Sequence, residues 1–207
     1  IYIEDGSLVL KPVETVNEDG SVSYTSGRVN TQNKHDFKYG LFEARVKVPE
    51  GQGFLPAFWM MPTDENLYGQ WPRCGELDIM EVLGNDTDTS YGTIHYGNPH
   101  SESQGSYTLE KGTFADEYHV FDMEWEPGKI SWYVDGKLIH TEGNWYSVTE
   151  GQGEVTYPAP FDQPFYIILN LAVGGNWPGN PDETTDIANS AYYIDYVKVY
   201  QKDSYDE

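Results

Sequence analysis

Three carboxyl residues, Glu76, Asp78 and Glu81, lie within six positions of one another. Side chains of a strand alternate between its two faces, so Glu76 and Asp78 share a face, about 7 Å apart, and Glu81 has the wrong parity. A one-residue bulge at Ile79 or Met80 would correct the parity, and bulges often re-aim side chains beside active sites. Without it, Glu81 would place a carboxylate in the core, which is costly unless it is paired. We therefore predict a bulged strand with three carboxyls lining one groove.

The chemistry expected of this trio follows from mutual repulsion. Three neighbouring carboxyls cannot all ionise easily at neutral pH, because each negative charge raises the pKa of the others. One ionised carboxylate beside one protonated acid is what glycoside hydrolysis requires, and a separation of ~5 to 5.5 Å predicts a covalent intermediate with retention. Glu76 and Glu81 begin ~13 Å apart along the strand, so their side chains have to lean together.

Two other interpretations of the trio remain open. Carboxylate oxygens at alternate positions could bind calcium, although one strand seldom supplies the six or more ligands that calcium takes. The three side chains could also form an ordinary solvated surface.

Aromatic residues near flexible segments favour a carbohydrate site. Trp59, Trp71 and Trp177 lie beside stretches rich in Gly, Pro and Asn, where exposed rings would offer flat faces to sugar rings. Packing in the core is the alternative for each of them. His95 lies in the next predicted strand and could reach the carboxyls, or it could be a satisfied structural histidine.

The elements that position these residues are predicted to be strands, because apolar and polar residues alternate with period 2 through most of the chain. We expect about ten to twelve strands. The clearest runs cover residues 7–13, 24–32, 41–48, 54–61, 76–82, 91–96, 118–125, 130–134, 165–173 and 192–200. Asp135-Gly136 and Asp5-Gly6 predict tight hairpin turns.

Three polar stretches, 97–117, 143–153 and 174–190, are rich in Gly, Asn and Ser, and we predict that they are loops around a site. The fold class predicted from these patterns is all-β, an antiparallel sandwich of two sheets bent so that one face is concave. At 207 residues, the chain suits a single domain covering 1–207.

Charge limits the partners. Thirty-four acidic against 12 basic residues give a net charge of −22, which argues against nucleic acid and anionic lipid and favours a neutral or cationic partner. The acidity could also serve only to keep an extracellular protein soluble. No apolar run approaches the ~20 residues of a membrane helix. We expect a monomer with no membrane or nucleic-acid partner.

Residues 71–81, Trp-Pro-Arg-Cys-Gly-Glu-Leu-Asp-Ile-Met-Glu, resemble the signature of glycoside hydrolase family 16 in the bulged form of laminarinases. Further similarity covers residues 24–28, 39–45, 56–60, 132–136, 169–177 and 194–200. The resemblance implies a β-jelly roll with a glucan-binding cleft. It also implies that Glu76 is the nucleophile, Glu81 the general acid/base, and Asp78 the carboxyl that tunes the nucleophile.

The resemblance implies further site residues. Trp59, Trp71 and His95 would line the cleft near the scissile bond, and Trp177 would lie at the cleft edge. Arg45 and Asn170, in two of the similar stretches, are expected to be further substrate-binding residues.

A structural calcium and a missing segment are also implied by the family pattern. Asp195 and the backbone carbonyl of Gly6 match the positions that hold calcium on the convex side. Family members usually have another strand before the equivalent of Ile1, so we expect this chain to lack that N-terminal strand.

The resulting hypothesis is a secreted, retaining endo-hydrolase of neutral β-1,3-glucan that needs no catalytic cofactor. Mixed-linkage β-1,3-1,4-glucan is the alternative substrate within the family. A non-catalytic β-glucan-binding module is the alternative from another class, since fold alone does not fix function. A pure binder has no need of three mutually repelling carboxyls.

Overall fold

The computed structural model describes residues 1–149, 151 and 153–205, and these residues form an all-β protein. The described residues form 18 strands: β1 (Tyr2–Glu4), β2 (Ser7–Leu10), β3 (Val13–Val16), β4 (Val22–Thr25), β5 (Arg28–Asn30), β6 (Asp36–Phe37), β7 (Gly40–Lys47), β8 (Phe54–Pro62), β9 (Glu76–Leu83), β10 (Asp86–Tyr96), β11 (Ser101–Thr108), β12 (His119–Glu126), β13 (Lys129–Val134), β14 (Lys137–Glu142), β15 (Ser147–Thr149), β16 (Gly153–Val155), β17 (Phe165–Val173) and β18 (Tyr192–Tyr200). No described helix has the length and apolar character needed to cross a membrane.

Two seven-stranded antiparallel sheets make up the sandwich, as predicted. The first sheet has the order β1-β2-β18-β7-β12-β13-β14. The second, which carries the carboxyl strand β9, has the order β11-β10-β9-β8-β17-β5, with β6 also paired to β17. Two small hairpins, β3–β4 and β15–β16, stand apart from these sheets.

The core lies between the sheets and follows the alternation read from the sequence. In β7, Phe42, Ala44 and Val46 are buried while Glu43 and Arg45 between them are not. One continuous apolar cluster joins such residues of the first sheet to the inner face of the second. The two sheets are therefore packed face to face, and the second sheet has its other face free to carry a site.

Trp132 of β13 anchors the first sheet directly behind the carboxyl strand. Its indole is fully buried, and Nε1 donates a hydrogen bond to the backbone oxygen of Asp78 at 2.8 Å. The ring occupies the space beside Gly92 of β10, where a Cβ atom would collide with it. The sandwich therefore fixes the backbone of the carboxyl strand from behind.

The predicted hairpins are confirmed. Asp135 and Gly136 have φ angles of 49° and 75° and join β13 to β14, and Asp5 and Gly6, with φ angles of 49° and 85°, join β1 to β2. Positive φ at both central residues is what such two-residue turns require, and glycine adopts it at little cost.

Several predictions about chain segments were wrong, and the described residues form 18 strands rather than about ten to twelve. The stretch 97–117 is not a loop throughout, because it contains β11, an edge strand whose residues alternate between half-buried and exposed without an apolar face. The predicted strand 24–32 is two strands, since β4 pairs only with β3 while β5 belongs to the second sheet. Gly27, between them, packs against Leu10.

Of the other two predicted loops, one is confirmed and one contains part of a short hairpin. Residues 174–190 contain no strand, as predicted. Within 143–153, Ser147–Thr149 pairs with Gly153–Val155 as a short hairpin, and residues 150 and 152 lie outside the described residues.

Replacing Gly92 by Ala should destabilise the protein, because the added methyl group meets the Trp132 ring in a packed core. Overpacking of this kind costs about 1–3 kcal/mol. Chemical denaturation followed by tryptophan fluorescence measures the loss in free energy of unfolding. Gly143→Ala is the matched control, since its Cβ would meet only ordinary van der Waals contact. Equal stability of the two variants would contradict this account of the packing.

Candidate active site

The predicted bulge is present in β9. Between β8 and β9 the register runs from Phe58 opposite Met80 to Trp59 opposite Asp78, so Ile79 is the extra residue. Ile79 and Met80 are both buried in the core. Strand β10 shows the same shift on the other side of β9. The bulge therefore buries two apolar side chains and gives Glu81 the parity of Glu76 and Asp78.

The three carboxyls define three rows across the outer face of the second sheet, because directly opposed residues of antiparallel strands share a face. The Glu81 row continues through Ala57 and Asn170 on one side and Tyr91 on the other. The register gives the main members of these three rows. The rows are Arg28-Asn170-Ala57-Glu81-Tyr91-Ser106, Ile168-Trp59-Asp78-Thr93-Gln104 and Glu76-His95-Glu102.

Asp78 is the most deeply buried of the three carboxyls, at 2 % exposure. Burial, followed by the charge of Glu76, raises the pKa of Asp78 well above its ordinary value. The two side chains share a hydrogen bond, which raises the pKa of Asp78 and lowers that of Glu76. Within this pair, Asp78 therefore ionises less readily than Glu76.

Glu76 is held closer to its ionised form. Burial raises its pKa, but the charge of His95 and hydrogen bonds from the Trp71 indole and from Asp78 pull that pKa down. These groups all stabilise negative charge on Glu76, so it is the member of the pair that ionises first.

Glu81 has the opposite environment. Its pKa is raised well above the ordinary value by burial first, and then by the charges of Asp78 and Glu76. The site thus sets Glu76, whose negative charge its neighbours support, beside Glu81, whose pKa its neighbours raise. One carboxyl that ionises readily beside one that ionises late is the pairing that glycoside hydrolysis requires.

His95 contacts the trio from β10. Its Nε2 lies 3.2 Å from Asp78 Oδ2 and 4.0 Å from Glu76 Oε1, while its Nδ1 lies 3.0 Å from His100 Nε2. The imidazole is therefore part of the electrostatic environment of the carboxyls, as predicted.

The predicted tryptophans surround the same face. Trp59 donates a hydrogen bond from Nε1 to Asn170 Oδ1 at 2.6 Å, and its ring lies under the Arg28 guanidinium. Trp71 and Trp177 are 46 % and 44 % exposed. Trp71 lies next to Glu76 and His95, whereas Trp177 packs against Tyr91 of the Glu81 row.

A cavity of about 330 Å³ opens on the Glu81 side of this face. Its lining residues are Glu81, His95, Glu102, Gln104 and Trp177. We call this opening and the adjoining surface that carries Glu76 and Trp71 the cleft. It has room for a ligand group beside Glu81, between the exposed indole of Trp177 and the imidazole of His95.

Three residues of the site were missed by the sequence analysis: His100, Glu102 and Gln104. His100 contacts the rings of both Trp71 and His95, with centroid distances of 5.1 and 5.2 Å. Glu102 and Gln104 lie on β11, which was taken for a loop. Glu102 and Gln104 are two positions apart, so in a strand they would share one face. That spacing was the signal that could have identified them.

Arg45 is not in the cleft, and its prediction as a substrate-binding residue needs correction. It lies on β7 of the first sheet, where the alternation turns it away from the core. Its Nη1 atom is 2.7 Å from Asp195 Oδ2, and its guanidinium lies over the Tyr118 ring. Parity predicted that Arg45 faces outward but not that it lies on the sheet opposite the carboxyls.

Comparison with known proteins identifies the family. The model of glycosyl hydrolases family 16 matches residues 4–198, which is nearly the whole chain. This chain belongs to glycosyl hydrolase family 16. This family member has the all-β sandwich and the bulged carboxyl strand described above.

Relatives in the family are similar over almost all of this chain. Glucan endo-1,3-beta-glucosidase A1 of Niallia circulans is 39 % identical over 98 % of the chain, and Glucan endo-1,3-beta-glucosidase of Cryptopygus antarcticus is 37 % identical over 94 %. The laminarinase catalytic domain of Thermotoga maritima has a TM-score of 0.80 at 39 % identity, covering 97 % of this chain and 80 % of that one. This chain therefore has the same fold as that laminarinase catalytic domain.

Some relatives are much longer than this chain, and one is named as a binding protein. The chain spans 31 % of the Niallia protein and 74 % of the Cryptopygus protein. A Beta-1,3-glucan-binding protein of Penaeus monodon is 37 % identical over 76 % of this chain, which spans 49 % of it. Family membership alone thus leaves catalysis and binding to be separated by the site.

Replacing Asp78 by Asn should raise stability at alkaline pH more than at acidic pH. A carboxyl whose folded pKa is raised binds more protons in the folded than in the unfolded state, so it lowers stability as pH rises from about 4 through the folded pKa. The Asn variant loses that penalty. Urea denaturation at about pH 5 and pH 8 measures the difference, with exposed Asp203→Asn as control. The same stability change for Asp78→Asn at both pH values would contradict the assignment.

Proposed function

We propose that this family member is a retaining endo-β-1,3-glucanase. The observation that carries the proposal is the bulge at Ile79, which places a carboxylate poised to ionise and a carboxyl poised to stay protonated on one face. The relatives named endo-1,3-β-glucosidase and laminarinase support the substrate.

In the first step, a carboxylate oxygen of Glu76 attacks the anomeric carbon while Glu81 gives its proton to the departing glycosidic oxygen. A covalent glycosyl-enzyme ester results, with Asp78 hydrogen-bonded beside it. The raised pKa of Glu81 suits this step, because an acid must still hold its proton at working pH.

In the second step, Glu81 takes a proton from water, which attacks the same carbon and releases Glu76. Esterification removes the negative charge of Glu76, and that charge is one of the causes that raise the pKa of Glu81. The pKa of Glu81 therefore falls in the intermediate, which turns the acid into a base when a base is needed. The two steps need only carboxyl groups and water, so no catalytic cofactor takes part.

A neutral β-glucan suits the cleft. Trp71 at the Glu76 row and Trp177 at the Glu81 row expose indole rings on which sugar rings can stack. Glu102 adds a half-exposed carboxylate to the same cleft, and the chain carries a net charge of −22. Both features disfavour sulfated or otherwise anionic glycans.

The two alternative functions, mixed-linkage hydrolysis and glucan binding without catalysis, make different demands on the carboxyls. Mixed-linkage β-1,3-1,4-glucan would use the same carboxyls and change only the contacts of the cleft loops. A glucan-binding module, as the name of the Penaeus monodon relative describes, would gain nothing from Glu81. A buried acid beside two carboxyls costs stability without improving contact with a neutral sugar. The electrostatics therefore favour an enzyme.

Localisation, assembly and metal content are further parts of the proposal. A polymer substrate and an acidic surface support secretion, and we expect a monomer without membrane or nucleic-acid partners. The calcium expected at Gly6 and Asp195 finds little support in the side chains, because Asp195 Oδ2 binds Arg45. Neither cluster of three His, Cys, Asp or Glu ligands among the described residues includes Asp195.

Replacing Glu76 by Gln should abolish hydrolysis while glucan binding survives, because the amide fills the same space but cannot attack carbon. Reducing-sugar release from laminarin should fall by at least about 10³-fold. Barley mixed-linkage glucan, assayed in parallel, decides the linkage preference. Affinity electrophoresis in laminarin gels measures binding. Exposed Glu110→Gln is the matched control.

Two results would contradict the proposal. The first is a Glu76→Gln variant that hydrolyses laminarin at the wild-type rate. The second is a folded wild-type protein that binds laminarin and releases no reducing sugar from either glucan, which would assign the chain to the binding class.

A further inference from the structure

Three metal-ligand atoms converge at the rim of the cleft: His95 Nδ1, His100 Nε2 and a Glu102 carboxylate oxygen. The two imidazole nitrogens are 3.0 Å apart, and His95 Nδ1 is 3.4 Å from Glu102 Oε2. All three atoms lie within 4.8 Å of one another. His100 and Glu102 are exposed, so the cluster is open to ions from solvent.

The 3.4 Å separation of His95 Nδ1 and Glu102 Oε2 matches a tetrahedral metal site, and the two imidazole nitrogens, 3.0 Å apart, would move slightly apart on binding. With metal–nitrogen and metal–oxygen bonds of about 2.0–2.2 Å, neighbouring ligand atoms lie about 3.3–3.5 Å apart. Two imidazoles and one carboxylate form a donor set that suits Zn²⁺ and related transition metals rather than calcium or magnesium, which take oxygen ligands. Three protein ligands would leave a fourth position for water.

In the metal-free protein the two imidazoles are joined by a hydrogen bond that a metal ion would replace. Either His95 Nδ1 or His100 Nε2 donates to the other, depending on the tautomer, and Glu102 Oε2 lies beside His95 Nδ1. A metal ion accepts a lone pair from each of the three atoms at once. Its positive charge is also welcome in a cleft lined by Glu81 and Glu102.

Groups behind the ligands orient them. His95 Nε2 faces the Asp78 carboxyl at 3.2 Å, so Nδ1 points away from the carboxyl trio and toward the cluster. Metal-binding histidines almost always present their second nitrogen to a carboxylate or similar acceptor. His100 is held by contact with the Trp71 ring and by its hydrogen bond with His95.

We propose that His95, His100 and Glu102 form a binding site for one divalent transition-metal ion of the Zn²⁺ class. An ion there lies at the mouth of the cleft and holds His95 and His100 in place beside Trp71, the ring expected to bind sugar. Because the ion would take up space beside the ring expected to bind sugar, its binding should block substrate. This inhibitory consequence, unlike the binding itself, rests on the proposed glucanase function.

Isothermal titration with zinc chloride in about 0.15 M salt tests the binding directly, because that ionic strength screens weak attraction to the acidic surface. We expect one ion per chain with a micromolar Kd in the wild type. His100→Asn and Glu102→Gln should each weaken binding at least tenfold. Exposed His35→Asn, which keeps the whole cluster, should bind as the wild type does. With Co²⁺ in place of Zn²⁺, a d–d absorption band should appear and be lost in His100→Asn.

Zinc binding that is unchanged in His100→Asn would overturn the proposal by assigning the ion to other acidic groups, and so would the absence of binding to the wild type. Laminarin hydrolysis, scaled to each variant's own metal-free rate, should be inhibited by zinc in the wild type and His35→Asn but not in His100→Asn. Equal inhibition of all three would overturn the blocking role. Failure of the glucanase assay alone would leave the titration result intact, so the two proposals fail separately.

Discussion

Burial of three carboxyls on one strand is the constraint on which the rest of the site depends. Taking Glu76, Asp78 and Glu81 out of water raises the pKa of each, and their mutual repulsion raises those of Asp78 and Glu81 further. Glu76 receives the most compensating support, from His95, Trp71 and the hydrogen bond with Asp78, whereas only the charge of His95 lowers the pKa of Glu81. The asymmetry of these surroundings, rather than any difference in residue type, separates a nucleophile from an acid.

The sandwich makes that burial mechanically stable. The bulge places Ile79 and Met80 in the core, so the strand cannot slip by one residue without exposing two apolar side chains and burying Glu81. Trp132 holds the strand from behind through the Asp78 backbone. Packing against the first sheet thereby offsets the free-energy cost of burying the carboxyls on this strand.

Much of this arrangement could be predicted from sequence because it depends on local rules. Strand parity and the cost of a buried carboxylate were enough to predict the bulge, and Asp135-Gly136 predicted its hairpin. Parity gives the face of a residue but not the sheet of its strand, which is why Arg45 was misplaced. Strand β11 has no apolar face, so its Glu102 was hidden, and His100 reaches His95 only through the turn that joins β10 to β11.

The central claim is that this strand makes Glu76 the nucleophile, and trapping the covalent intermediate tests it most directly. A 2-deoxy-2-fluoro laminaribioside with an activated leaving group should form the ester and hydrolyse slowly, because the fluorine destabilises an oxocarbenium-like transition state. Mass spectrometry of the digested protein should find one glycosyl group, on Glu76. A glycosyl group on Glu81 or Asp78, or steady hydrolysis of laminarin with no labelled carboxyl, would contradict the account.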